Sequence, residues 1–306
     1  MTGDFAALRV VEARGLRYGL RVAGADDAPA VFLLHGFAGS SEDWNEIAPV
    51  LAGAGFRVVA ADLPGHGATG IDGATAPMER FSAAETARDL VSLLDDLSVP
   101  RAHWLGYSMG GRIALISALT FPARAATLTL ESASPGLSDA AARDERRRAD
   151  DAFAAAIVER GIDWFADSWA AQPLFASQRS LPVFAREAVD RARRRNSPAG
   201  LSASLRAAGQ GVQPYVGDRL GELSIPVLLV TGSADEKYGA LARSVAPRFG
   251  AASHAVIDGA GHNVHLEQPE RFTHALLDHL TDAAGGACED ERRDAGRSTL
   301  ETPATS

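Results

Sequence analysis

Six short apolar runs set the architecture available to this chain. They are Val31–Leu34, Arg57–Ala61, Ala102–Leu105, Ala126–Leu130, Pro226–Val230 and His254–Ile257. Runs this short, apolar and bounded by Gly, Pro or Asp read as strands buried on both faces. Helical stretches lie between them. Residues 43–54 carry apolar side chains at Trp44, Ile47, Val50 and Leu51, and residues 109–121 and 268–280 have similar lengths. Residues 82–97 open with Ser82 and Glu85 in a capping-box spacing, in which each side chain can satisfy the other's end of the first turn. Strand alternating with helix predicts an α/β fold, a mostly parallel sheet with helices on both faces. Leu8 to Ala23 alternates instead like an antiparallel hairpin.

The alternation stops at 136–220, where Arg-rich helical stretches replace buried strands. This segment carries 13 basic and 11 acidic residues, about +2, against −11 for the rest of a chain whose formal charge is −9. A helical insert of opposite sign, placed after a strand of a parallel sheet, reads as a lid over the strands' C-terminal ends, where open α/β sheets bind ligands. The expected organisation is therefore a core of 1–135 and 221–283, a helical lid of 136–220, and a polar tail of 284–306 without periodicity, expected to be disordered.

Composition narrows the function classes. The negative net charge argues against broad nucleic-acid or acidic-membrane binding. The single cysteine, Cys288, excludes an internal disulfide and a cysteine metal cluster. No apolar run reaches the ~18 residues of a membrane span, and the N-terminal residues lack a signal-peptide layout. These features predict a cytoplasmic enzyme or binding protein that needs no metal or cofactor; they leave the oligomeric state open.

The chemistry concentrates in Gly106-Tyr107-Ser108-Met109-Gly110-Gly111. A G-x-S-x-G sequence directly after a buried strand and before a helix is the context of a nucleophile elbow. The turn is so tight that Ser108 takes strained torsions and its neighbours have no room for side chains. A serine hydroxyl needs a base, and His262 follows the last strand on the Gly-rich loop 259–263. That base needs a carboxylate to fix its tautomer, and Asp235 follows the preceding strand at the same sheet edge. The order Ser, Asp, His is that of α/β-hydrolases. Backbone N–H groups of Phe37 and Met109 are the candidate oxyanion donors. Arg112 lies one helical turn after Ser108 and can face the same pocket, and Tyr107 beside the nucleophile suits a pocket wall.

From about residue 8 to 283 the chain resembles the α/β-hydrolase superfamily. A narrower resemblance rests on HGFAGS, DLPGHG, GYSMGGR, ESASPGL, WAAQPLF, RRRNSPAGL and TGSADEKY, together with the Arg-rich helix. These blocks cover core and lid and are similar to the 2-succinyl-6-hydroxy-2,4-cyclohexadiene-1-carboxylate synthases of menaquinone biosynthesis. That family often carries Phe where this chain has Tyr238. The resemblance implies loss of pyruvate from a succinylated enolpyruvyl-cyclohexene carboxylate. It makes Ser108 the base and Phe37 and Met109 the holders of the enolate oxygen. It also implies Arg112, Arg146 and Arg193 as carboxylate-binding residues and Trp169 as a pocket aromatic. A small-molecule tricarboxylate partner gives these arginines a purpose on chemical grounds too, because Arg pairs bidentately with carboxylates and keeps its charge when desolvated. Arg146 and Arg193 each sit in a run of three arginines, so a one-residue shift would change which one faces inward. Two rivals share the scaffold. A serine carboxylesterase or carbon–carbon hydrolase uses the same triad; a catalytically silent binding protein would have lost part of it.

Overall fold

A computed structural model describes Phe5 and residues 7–69 and 77–298, with 284–298 described by backbone course alone. The strands are β1 (Leu8–Ala13), β2 (Leu16–Ala23), β3 (Ala30–Leu34), β4 (Arg57–Ala61), β5 (Ala102–Tyr107), β6 (Ala125–Glu131), β7 (Val227–Gly232) and β8 (Ala252–Ile257). They form one sheet in the order β1-β2-β4-β3-β5-β6-β7-β8. β1 pairs antiparallel with β2, and β2 antiparallel with β4; the remaining pairs are parallel. The predicted hairpin is therefore an antiparallel edge on a parallel sheet.

The helices are α1 (Ala48–Gly53), α2 (Ala83–Asp96), α3 (Met109–Thr120), α4 (Ala140–Ala170), α5 (Val183–Arg194), α6 (Pro198–Ala208), α7 (Glu236–Val245), α8 (Val264–Glu267) and α9 (Pro269–Ser298). Alternate residues of each central strand feed opposite cores, as the two-residue period of a strand requires. Phe32 and Leu34 pack with Leu90, Leu93 and Ile113 of α2 and α3. Val31 and Leu33 pack with Trp44, Leu51, Phe272 and Leu276 on the other face. Among the described residues no helix is long and apolar enough to cross a membrane.

Three local expectations change. Residues 43–54 do not form one helix: a turn of 3-10 helix covers Ser41–Trp44, and α1 begins only at Ala48. Pro49 explains the break, since proline is tolerated in the first turn of a helix and not further in. The capping box at α2 is half made. Ser82 Oγ accepts from Glu85 N at 3.3 Å, but the Glu85 carboxylate is held by Arg14, Arg80 and Arg88, and Ser82 N already donates to Glu79 O. Lastly, α9 runs on to Ser298 through much of the expected disordered tail. That stretch is rich in Ala, Glu and Arg, which are good helix formers; residues 299–306 lie outside the described part.

The insert leaves and rejoins the core at neighbouring points, where Val216 N donates to Pro135 O at 2.8 Å. Val216, Leu220 and Leu223 already pack into the core, so the lid proper ends a few residues before 220. Inside the lid, α4 breaks at Gly161, whose φ of 82° and ψ of 179° no helix accommodates. The lid docks on the core through backbone contact. A Cβ on Gly65 would lie 2.4 Å from Gly200 O, and one on Gly200 would lie 2.4 Å from Gly65 O. Asn196 adds a bond to Ala38 O at 3.0 Å, and Arg195 pairs with Glu42. Beneath the lid Phe37, Phe153, Phe165 and Trp169 form an apolar roof.

Candidate active site

Because β3, β5, β6, β7 and β8 are parallel, their C-terminal ends deliver the loops carrying Phe37, Ser108, Asp235 and His262 to one edge. Ser108 stands between β5 and α3 with φ 49° and ψ −104°, a conformation that costs a non-glycine residue about 1–3 kcal/mol. Its surroundings enforce it. Ser108 N donates to Glu131 O at 2.8 Å, and Arg112 N donates to Ser108 O at 3.1 Å. A Cβ on Gly106 would sit 2.4 Å from Gly110 O, and one on Gly110 would sit 2.2 Å from Leu34 O. The glycines of the motif are thus required by the approach of β3, β5 and α3.

The triad is assembled. His262 Nε2 lies 3.1 Å from Ser108 Oγ, and His262 Nδ1 lies 2.7 Å from Asp235 Oδ2. An imidazole nitrogen facing a carboxylate carries the proton, so Nε2 is left to accept from the serine hydroxyl. Asp235 caps α7, its Oδ1 accepting from Tyr238 N at 3.1 Å, which fixes the carboxylate plane. The Asp and His loops are tied by Ala234 N to Ala260 O at 2.9 Å. Tyr238, Tyr107 and Phe175 surround the His262 ring at centroid distances of 4.6, 5.4 and 6.1 Å.

The backbone explains how the two expected oxyanion donors would be offered. Met109 is the first residue of α3, so its N–H is among those with no intrahelical partner. Phe37 N–H is oriented from behind. His35 Nδ1 donates to Gly36 O at 2.7 Å, and in a trans peptide the N–H of the next residue points the opposite way. His35 Nε2 in turn accepts from Leu63 N at 2.9 Å, which only a neutral imidazole can do.

Burial keeps His35 neutral, pushing it down to about 4, and holds the neighbouring His66 down to about 3. For His66 the sign follows directly. Between pH 6.5 and about 3 the unfolded chain binds a proton that the folded chain refuses, so stability falls as pH falls through that window. In His66→Asn the unfolding free energy should therefore fall less steeply with acid than in the parent, by up to about 1.4 kcal/mol per pH unit between roughly pH 6 and 4. Urea unfolding of both proteins across that range measures it, since groups that do not interact with His66 cancel in the comparison. Equal slopes would show that His66 carries no such penalty.

The arginines separate by register. On α4 Arg146 is half-exposed and bonds the buried Asp150 at Oδ1 at 2.8 Å, whereas Arg147 and Arg148 are exposed. In the second run Arg193 is buried, while Arg194 is taken by Asp163, Asp167 and Asp190 and Arg195 by Glu42. Arg193 Nη2 donates to Gln178 Oε1 at 3.0 Å, and its guanidinium lies 5.2 Å from the Phe175 ring centre. Arg112 is also buried and donates through Nη1 to Ala208 O at 2.8 Å and Gln213 Oε1 at 2.5 Å. Burial lowers the Arg112 guanidinium to about 10, which still leaves it charged at neutral pH. Trp169 packs between Phe37 (5.2 Å) and Phe175 (5.6 Å) in the roof. The structure thus gathers Tyr107, Arg193, Trp169 and the triad through Phe175 and His262. The fields of Arg112 and Arg146 both reach Tyr238 and lower its pKa against the rise that burial imposes.

Residues that the motifs did not single out complete the site. Phe175 touches His262, Trp169 and Arg193; Gln178 and Gln213 hold the two buried guanidiniums; His35 orients Phe37. Phe175 closes the WAAQPLF block and was the most visible of them in sequence. The glutamines carry no local signal, because their partners lie 15 and 101 residues away.

Among known proteins, the α/β-hydrolase-fold family model matches residues 29–269. A Bacillus subtilis (strain 168) protein that provisionally bears the name 2-succinyl-6-hydroxy-2,4-cyclohexadiene-1-carboxylate synthase is 36% identical over 269 residues, covering 87% of this chain and 96% of that one. The synthase of the same name from Salmonella paratyphi C (strain RKS4594) is 34% identical over 253 residues, covering 83% and 94%. The solved structure of MenH from S. aureus superposes with a TM-score of 0.81 at 30% identity, covering 87% of this chain and 98% of that one.

Proposed function

The chain belongs to the α/β-hydrolase family and, within it, to the 2-succinyl-6-hydroxy-2,4-cyclohexadiene-1-carboxylate synthases; from that membership we propose that it is a carbon–oxygen lyase. Its substrate is 2-succinyl-5-enolpyruvyl-6-hydroxy-3-cyclohexene-1-carboxylate, a tricarboxylate, and its products are the conjugated diene and pyruvate. The observation that carries this reading is the pair of buried guanidiniums, Arg112 on α3 and Arg193 on α5 of the lid, without a carboxylate hydrogen-bonded to either. Buried cations with only neutral partners suit a substrate that brings the anions.

In the reaction Ser108 Oγ, polarised by His262, takes the proton from the ring carbon beside the succinyl ketone. His262 Nε2 receives the serine proton, and Asp235 stabilises the resulting imidazolium. Charge builds on the ketone oxygen, where the N–H groups of Phe37 and Met109 are offered. The electron pair moves through the ring double bond, the carbon–oxygen bond to enolpyruvate breaks, and the departing enolpyruvate picks up a proton to become pyruvate. No water is consumed. The aromatic roof of Phe37, Phe165 and Trp169 lowers the local dielectric and strengthens each of these interactions.

A second reading, hydrolysis of a small carboxylate-bearing ester, uses the same triad with Ser108 as nucleophile. The two differ in products: elimination yields diene and pyruvate together, whereas hydrolysis yields an acid and an alcohol. Their simultaneous appearance is the test.

A further inference from the structure

Arg112 and Arg193 are held in the same unusual way. Gln213, 2% exposed, accepts Arg112 Nη1 at Oε1, and Gln178, 8% exposed, accepts Arg193 Nη2 at Oε1. An arginine can only donate, so the amide atom facing it is the carbonyl oxygen and the N–H2 group points elsewhere. In both glutamines that Nε2 is buried and has no hydrogen-bond partner. A buried amide donor without an acceptor is costly and calls for an explanation.

The neighbouring arginines of the two runs behave differently: Arg146, Arg147, Arg194 and Arg195 each pair with a carboxylate. Arg112 and Arg193 form no ion pair among the described residues. Asp43 and Asp190 act on Arg193, and Asp150 on Arg112, only through their fields. Glutamate in place of either glutamine would accept the same hydrogen bond and cancel the charge. The amide holds the guanidinium while leaving its charge unspent.

We propose that Gln178 and Gln213 are substrate-recognition residues, each forming with its arginine a receptor in which guanidinium N–H and amide N–H2 donate to one carboxylate. The inference rests on the reading that this site takes a polycarboxylate, and it names the donors. Arg193 reaches the site over Phe175, which packs on His262; Arg112 lies on α3 one turn after Ser108, to whose carbonyl its backbone N–H donates at 3.1 Å. Two receptors brought by different elements, α3 of the core and α5 of the lid, suit a substrate with separated carboxylates and disfavour a monoacid.

The test uses the purified full chain and protection of Ser108 from a fluorophosphonate label, referenced to each protein's own unprotected rate. The probes are succinate and its neutral counterpart succinamide. The variants are Gln178→Glu and Gln213→Glu, isosteric changes that keep the arginine partner, with Gln178→Met and Gln213→Met as uncharged replacements should either glutamate variant fail to fold. In each glutamate variant the protection constant for succinate should rise by about tenfold or more, with a smaller rise for methionine, while that for succinamide stays at its parent value. Succinate constants within twofold of the parent in all variants, equal losses for succinate and succinamide, or no protection of the parent by succinate would each overturn the inference. If succinate behaves as expected but the enolpyruvyl substrate is not turned over, the proposed reaction fails and the receptors stand.

Discussion

Ser108→Ala lowers kcat for the elimination by about two to four orders of magnitude, the usual worth of a positioned general base. KM should change little, because the groups proposed to hold carboxylates, Arg112, Arg146 and Arg193 with Gln178 and Gln213, include none whose side chain bonds Ser108. The split between kcat and KM is the informative part. Removing the hydroxyl leaves His262 and Asp235 paired at 2.7 Å and the Phe37 and Met109 donors on their frames. The residual rate then reports what the oxyanion donors and substrate orientation achieve without the base. Steady-state kinetics of both proteins measures it. A kcat within tenfold of the parent would remove Ser108 from the proton transfer.

Arg112→Ala should lower kcat/KM by about 30-fold to several thousandfold, the 2–5 kcal/mol expected when one partner of a buried charge-to-carboxylate contact is deleted. Most of the loss belongs in KM if the contact is equal in ground and transition states. Arg112→Lys should recover only part of it, since lysine restores charge without the planar fork that also reaches Ala208 O and Gln213 Oε1. Folding stability answers separately. Alanine removes a desolvated charge, which favours the fold, and leaves Ala208 O and Gln213 Oε1 unpaired, at about 1–3 kcal/mol each. Measuring the unfolding free energy beside kcat/KM separates the two effects. An unchanged kcat/KM in Arg112→Ala would mean that no carboxylate docks there.

The parts of this site written in contiguous residues were readable in advance. The elbow is one, because strand, glycines and helix are local and their geometry follows from sterics at Gly106 and Gly110. His262 and Asp235 were readable because parallel strands deliver their C-terminal loops to one edge. The break between Trp44 and Ala48 was written in Pro49, but apolar spacing masked it. Glu85 shows a local rule losing to a tertiary one, since Arg14 and Arg80 come from outside α2 and take the carboxylate that a capping box would use. Which arginine of each run meets a buried partner depended on helix phase. Arg146 shares a face with the buried Asp150 one turn on, and Arg193 is on the buried side of α5. Gln178, Gln213 and the role of His35 were beyond sequence reading, because each depends on an atom brought close by the fold alone.

The most direct measurement follows diene absorbance and pyruvate release together, on 2-succinyl-5-enolpyruvyl-6-hydroxy-3-cyclohexene-1-carboxylate, for the parent protein, Ser108→Ala and an enzyme-free control. The control is needed because this substrate eliminates slowly unaided. The account predicts that parent protein releases diene and pyruvate in equal amounts, far above the control, and that Ser108→Ala falls towards it. Pyruvate without diene, or no rate above the control from a protein that turns over simple esters through Ser108, would contradict it and make the chain a hydrolase.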